Sequence, residues 1–220
     1  MEKSNNSPLS LEALLQRPLR AALFDFDGVL MDTEGLYTKF WGTMGLRFTH
    51  DPDFARKVKG QTLEQIFAAH FAGREADQKE IVAMLDDYER NMTYEYVAGA
   101  KEFVELLRQK GVLTAVVTSS NEKKMANVYR THPEFKAMFD AILTSECFSE
   151  SKPSPDCYLT AMRRLGVQAG ESAVFEDSFH GLASGRASGA FVVALATTNT
   201  REALAGKADI VVSDFRDVTL

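Results

Sequence analysis

Cysteine is scarce in this chain of 220 residues: there are two, Cys147 and Cys157, ten positions apart. Neither belongs to a Cys-x-x-Cys pair, and the four histidines (His50, His70, His132, His180) share no ligand spacing. That excludes a disulfide framework and a zinc site and leaves two plain thiols, expected reduced in a cytoplasmic protein. Positive charge is also in deficit. Against 31 Asp and Glu stand 25 Lys and Arg, a net charge of −6, so no basic surplus offers itself to nucleic acid or an anionic membrane. No apolar run approaches the ~18 residues of a membrane span. The polar opening, Met1 to Ser10, lacks the apolar core of an export signal, so export is not expected. No internal repeat and no low-complexity tract is present.

What is there is an ordinary globular composition, 45% hydrophobic and 25% charged. It suffices for one large domain or a core with a small companion. The chain is organised around residues 21–34. Ala21-Ala22-Leu23-Phe24 is a short apolar run closed by a turn signal at Gly28, which predicts a buried strand. At its tip stand Asp25 and Asp27 with only Phe26 between them, two acids expected on one face. Like charges that close are costly unless a cation lies between them. The tip is therefore read as a place for a metal ion, a nucleophile, or both.

Taken in order, residues 1–20 read as a surface extension in which Ser10 caps a short helix ending near Arg17-Pro18. After the first strand the pattern is helical, over 36–44, 63–71 and 76–94; in the last, Ile81, Leu85, Tyr88 and Met92 recur at helical spacing. An all-helical insertion just behind a reactive-looking turn is well placed to be a lid. From Val97 the pattern alternates. A helix over 100–109 stops at Gly111, and a strand over 112–117 ends in Thr118-Ser119-Ser120-Asn121. A helix over 122–129 and a strand over 141–143 follow. Pro155 opens a helix to Leu165 with Ser154 as its cap. A strand over 173–175 ends in Glu176-Asp177-Ser178, and the helix after it carries Gly181, Gly185 and Gly189, read as close packing on the sheet. The last strands are 191–195 and 210–212. Strands alternating with ten-residue helices argue for a parallel sheet covered on both faces, an α/β fold.

Four strand ends carry polar groups: Asp25 and Asp27; Thr118, Ser119 and Ser120; Lys152 in a loop; Glu176 and Asp177. In an open α/β sheet ligands bind beyond the carboxyl ends of the strands, so these groups can converge. Carboxylates suit a hard cation, hydroxyls and a turn suit an anion, and Mg²⁺ completes its shell with substrate phosphate oxygen. That combination points to phosphoryl transfer.

The same residues carry a family resemblance. Asp25-Phe26-Asp27-Gly28-Val29-Leu30-Met31-Asp32-Thr33-Glu34 resembles the first motif of the haloacid dehalogenase-like (HAD) superfamily. Thr118, Lys152 with Pro153, and Glu176-Asp177 resemble the second, third and fourth, in the right order. The resemblance runs from about residue 21 to the end, and the early insertion resembles that of the β-phosphoglucomutase-like phosphatases. It implies a Rossmann-like three-layer core over 1–34 and 97–220 with a helical cap over 35–96. It implies Asp25 as nucleophile forming an aspartyl-phosphate. Asp27 would be general acid and then base, also lending its backbone carbonyl to Mg²⁺. Asp177 would be the other main carboxylate ligand, and Glu176 a ligand or its neighbour. Thr118, Ser120 and the Ser119 amide would hold phosphoryl oxygens at a helix N-terminus, and Lys152 would neutralise developing charge and orient Asp25.

The presence of Asp27 favours phosphoryl transfer over dehalogenation, because a phosphate ester's leaving group needs a proton. Against β-phosphoglucomutase this chain has Tyr37 in place of a cap histidine and Leu63 in place of a phosphate-binding arginine after Lys59-Gly60. Arg90 aligns with a cap lysine that grips the second phosphate. The expectation is a Mg²⁺-dependent phosphatase of a small phosphorylated metabolite, the mutase being the alternative and an idle binding scaffold a third reading. Lys59, Gln61 and Arg90 are the candidate substrate contacts of the cap. A monomer or weak homo-oligomer is expected, with no nucleic-acid or membrane partner.

Overall fold

The computed structural model describes residues 9–10, 18–59 and 61–219. In chain order its strands are β1 (Leu9–Ser10), β2 (Ala21–Phe24), β3 (Leu113–Val117), β4 (Ala141–Leu143), β5 (Ser172–Glu176), β6 (Phe191–Leu195), β7 (Ile210–Val212) and β8 (Val218–Thr219). Six of them form one all-parallel sheet in the order β4-β3-β2-β5-β6-β7. The chain leaves β2 toward one edge and returns to its other side at β5, so β2 marks the point where strand order reverses, the place where such sheets bind ligands.

Both faces of the sheet are covered, and the alternation along each strand decides which side chain meets which layer. Ala22, Phe24, Val116, Phe175 and Val193 pack into one cluster with helices α5 (Ala100–Gln109) and α6 (Glu122–Thr131). Ala21, Leu23, Ala115, Val174 and Val192 pack into another with α7 (Asp156–Leu165) and α8 (Phe179–Ala187). The first layer is aromatic: Phe24 stacks on Phe175 at 4.7 Å between centroids and meets Phe103 edge-on. The second is mainly aliphatic, with Tyr158 buried among Leu, Val and Ala side chains, and Gly185 sets how close its helix comes. A Cβ there would lie 3.0 Å from Val174 and 3.2 Å from Val192, so the bare glycine lets α8 lie close on the sheet.

Between β2 and β3 the helices α1 (Glu34–Met44), α2 (Phe54–Val58), α3 (Leu63–His70) and α4 (Glu75–Arg90) form the all-helical cap. They bury a core of their own, centred on Phe40, Trp41, Met44, Phe54, Ile66, Phe71 and Ile81. Two details differ from the periodicity reading. The stretch 54–58 is helical, one turn too short to show as a pattern. And α4 stops at Arg90 instead of running to Tyr94. Tyr94 adopts φ 52° and its hydroxyl donates to the Glu89 carbonyl at 2.8 Å, which turns the chain back toward the sheet.

At the start of the chain Leu9 and Ser10 pair in parallel with Val218 and Thr219, so the extension is tied to the C-terminal end of the body. The helix expected after Ser10 falls in 11–17, outside the described residues, as does Gly60 of Lys59-Gly60. Among the described residues no helix is long and apolar enough to cross a membrane.

Candidate active site

The site lies at the carboxyl edge of β2, β3 and β5. β2 ends at Phe24, and Asp25 continues its ladder by donating its N–H to the Phe175 carbonyl at 3.0 Å. Gly28, at φ 73°, turns the chain sharply afterwards; a Cβ there would lie 2.2 Å from Asp177 Oδ2. That close approach lets the turn after β2 press against the end of β5.

Asp25, Glu176 and Asp177 come together, each offering a carboxylate oxygen within 4.8 Å of the others. All three are buried, and like charges there need a counter-charge. Lys152 supplies one. Its Nζ donates to Asp25 Oδ1 at 2.8 Å, to Glu176 Oε1 at 2.7 Å and to the Val117 carbonyl at 3.2 Å. Burial alone would lower the lysine's pKa, but the charges of Asp25 and Glu176 hold it above its ordinary value. Burial, then the Glu176 charge, raise Asp25 to about 7 against the pull of Lys152. Burial, then the charges of Glu176 and Asp25, push Asp177 well above the usual carboxylate range.

Glu176 is held at both oxygens. Its Oε1 also accepts from the Tyr158 hydroxyl at 2.8 Å, and its Oε2 accepts from the Asp177 and Ser178 amides at 3.1 and 3.3 Å. Asp177 is the opposite case: its Oδ1 is buried with no hydrogen-bond partner among the described residues. Buried carboxylate oxygens seldom go unmatched. Three convergent hard oxygen donors, one of them orphaned, fit a hard cation. The trio can hold a metal ion.

Asp27 does not join the trio through its side chain. Its Oδ1 accepts from Thr33 Oγ1 at 2.6 Å, its Oδ2 from Ser120 Oγ at 3.0 Å, and both oxygens accept from Lys124 Nζ at 2.6 Å. The two neighbouring acids are thus kept apart by two different ammonium groups, Lys152 for Asp25 and Lys124 for Asp27.

The second strand end brings its hydroxyls to the same edge. Thr118 is buried at the tip of β3, and its Oγ1 accepts from the Ser120 amide at 3.0 Å. Ser119 is exposed. The cap of α6 is Asn121, whose side chain accepts from the Lys124 amide at 2.9 Å, so Thr118, Ser119 and Ser120 precede the helix.

The cap candidates are dispersed. Lys59 reaches the core, its Nζ donating to the Thr198 carbonyl at 2.9 Å and lying 3.9 Å from Glu34 Oε2. Gln61 Nε2 donates to the Lys57 carbonyl at 2.9 Å. The guanidinium of Arg90 pairs with Asp87 of its own helix at 3.1 Å and is 58% exposed.

Several site residues escaped the sequence reading. Thr33, quoted in the first motif without a role of its own, is fully buried against Asp27. Lys124 shares a buried helix face with Met125 and Val128, and Tyr158 one with Ala161 and Met162. Helical spacing marks both faces, but does not tell a polar member from core. Gly181, expected to pack the helix closely on the sheet, makes its close approach at the Glu176 carboxylate on the end of β5.

A doubly wound parallel sheet, a helical cap after its central strand and a carboxylate cluster on its carboxyl edge define a class of cap-bearing α/β hydrolases. The chain belongs to the haloacid dehalogenase-like hydrolases, whose family pattern it matches over residues 22–195. It is 32% identical over 208 residues to validoxylamine A 7'-phosphate phosphatase of Streptomyces hygroscopicus subsp. limoneus, covering 90% of this chain and 95% of that one. To the β-phosphoglucomutase of Mycobacterium tuberculosis it is 30% identical over 244 residues, covering 93% of each. A HAD hydrolase of family IA, variant 3, from Entamoeba histolytica shares the fold with a TM-score of 0.80 at 24% identity, over 92% of this chain and 96% of that one. The CbbY protein of Rhodobacter sphaeroides, solved in complex with phosphate, aligns with a TM-score of 0.70 at 25% identity, over 90% and 95%.

Proposed function

We propose that the protein is a Mg²⁺-dependent phosphatase of a small phosphorylated metabolite, working through an aspartyl-phosphate on Asp25. The observation that carries this reading is the pairing of Asp25 Oδ1 with Lys152 at 2.8 Å inside a carboxylate trio that contains an orphaned oxygen. A carboxylate so placed is oriented for attack, and its neighbours hold the charge that attack develops.

Asp25, the Asp27 backbone carbonyl, Asp177 and Glu176 would hold Mg²⁺, which when bound offsets negative charge on the phosphoryl oxygens. Thr118, Ser120 and the Ser119 amide bind those oxygens from the tip of β3. An Asp25 oxygen attacks phosphorus, the ester P–O bond breaks, and the leaving oxygen takes a proton from Asp27. Water then attacks the aspartyl-phosphate, giving its proton to Asp27, so that phosphate leaves and the Asp25 carboxylate is restored. The cap, assigned to 35–96 between core segments 1–34 and 97–220, closes over the reacting centre and excludes bulk water. A phosphorylated, carbohydrate-like substrate agrees with relatives named validoxylamine A 7'-phosphate phosphatase and β-phosphoglucomutase. The acidic net charge speaks against nucleic-acid and anionic-membrane partners, and the reading is of a cytoplasmic enzyme, monomeric or weakly homo-oligomeric.

The second reading is a phosphosugar mutase, favoured by the full-length match to β-phosphoglucomutase. A mutase needs a grip on a second phosphate, and Arg90 pairs instead with exposed Asp87. The deciding experiment is a phosphate-release screen over sugar phosphates, nucleotides and pyrophosphate, with and without Mg²⁺, using Asp25→Asn as control. Asp25→Asn retaining full turnover would sink both readings. Conversion of β-glucose 1-phosphate to glucose 6-phosphate with a trace of bisphosphate would replace the phosphatase by the mutase.

A further inference from the structure

We propose that Lys124 is a positioning residue for Asp27, fixing the carboxylate that exchanges protons with the leaving group. The inference rests on the role given to Asp27 above and goes beyond it, since Lys124 belongs to none of the four motif segments.

Lys124 sits on the first turn of α6 and is 5% exposed. Burying an ammonium is costly unless it is paired, and a buried pair adds little to stability against an apolar replacement. Stability is thus a poor reason for a lysine here. Its position has a geometric consequence instead. The hydroxyls of Thr33 and Ser120 each reach one Asp27 oxygen, whereas Lys124 Nζ stands 2.6 Å from both. An ammonium spanning both oxygens holds the carboxylate in place, and the two hydroxyls, one on each oxygen, then set its rotation about the last side-chain bond. Such a terminal torsion is otherwise broad.

The gripping group is itself held from two sides. Nζ lies 4.6 Å from the centroid of the Tyr37 ring and 5.3 Å from that of Phe26. Tyr37 belongs to the cap helix α1, and its hydroxyl donates to Glu89 Oε1 of α4 at 2.8 Å. Phe26 lies between Asp25 and Asp27. The ammonium therefore joins the reactive turn, the core helix α6 and the cap, and the orientation of Asp27 depends on all three.

A displacement of about 1 Å at a reacting group costs on the order of 10²-fold in rate. Protonation matters for a poor leaving group and little for one that departs as a stable anion. The experiment compares kcat/KM, which covers the steps through departure of the leaving group, for an alkyl phosphate and for p-nitrophenyl phosphate. Lys124→Met should lower the alkyl value about 10²-fold and the aryl value at least tenfold less. Lys124→Arg should recover most of the alkyl loss, because a guanidinium can also span both carboxylate oxygens. Equal losses on both substrates, no loss, or a change confined to KM would overturn the inference. Should Lys124→Met not fold, the comparison is made with Lys124→Gln, whose amide is uncharged and shorter than the lysine. If wild type itself shows no Asp25-dependent phosphate release, the phosphatase reading has failed; if it does and the Lys124 losses are equal, only this inference has.

Discussion

A Cβ on Gly181 would lie 1.9 Å from the carboxyl carbon of Glu176. The first turn of α8 is thus shaped around a buried carboxylate, and the helix can follow β5 so closely only because residue 181 has no side chain. Ser178 caps the same turn, its Oγ accepting from the Gly181 amide at 3.0 Å.

Gly181→Ala is accordingly expected to destabilise the protein by about 1–3 kcal/mol, the usual effect of overpacking. For a chain of this size that is about 2–4 °C of melting temperature per kcal/mol. Displacement of Glu176 should also weaken cation binding. Thermal melts with and without Mg²⁺ measure both; an alanine variant with unchanged melting temperature and unchanged Mg²⁺ response would contradict the packing argument.

The carboxylate trio makes the metal-free protein sensitive to pH in a definite direction. Asp25 is raised from the ordinary carboxylate range to about 7, chiefly by burial and then by Glu176. Between those two values the folded protein binds a proton that the unfolded chain has released. The Asp25 contribution to stability is therefore largest below the ordinary carboxylate range and is lost as pH rises through about 7. Mg²⁺ held by the trio would oppose the loss, and its binding would release protons. Melts from pH 5 to 8 should show Mg²⁺ raising the melting temperature more at the alkaline end. An equal or smaller rise there would count against the assignment.

Tyr158→Phe removes one donor from Glu176 Oε1 and leaves Lys152 as its partner. A loss of about 0.5–1.5 kcal/mol is expected from the hydrogen bond. Mg²⁺ affinity should fall about 10-fold, as happens when a group supporting a ligand is removed. Titration calorimetry on both proteins reads the difference.

Two cap residues should separate in their effects. Arg90 is paired with Asp87 at the surface, a contact worth about 0.2–1 kcal/mol at most. Arg90→Ala should leave kcat and KM nearly unchanged. Lys59 bridges the cap to the Thr198 carbonyl of the core, so Lys59→Met should raise KM several-fold by loosening cap closure. Steady-state kinetics on the preferred substrate tests both, and the reverse ranking would return Arg90 to the substrate site.

Much of this could be read along the chain. The strands of the central sheet are short apolar runs whose ends carry the polar residues, and buried parallel strands show themselves in that way. Asp25, Thr118, Glu176 and Asp177 stand at such ends and Lys152 in the loop beyond another, so one dimension was enough to suggest their convergence. The cap helices showed through their 3.6-residue period, except at 54–58, where five residues are too few for a period to register.

Local pattern along the chain sets the alternation of strand and helix, the insertion after β2 and the acids at the sheet edge, because backbone preferences and apolar periodicity act over a few residues. Tertiary structure alone decided how Asp25 and Asp27 divide. Two residues apart in the chain, they are served by ammonium groups 127 and 97 residues away. Lys152 drew attention by preceding Pro153, whereas Lys124 sits on a helix beside another lysine, where nothing in the local pattern says which of the two turns inward. Electrostatic partners are chosen by distance in space, and only packing the helices on the sheet fixes that distance.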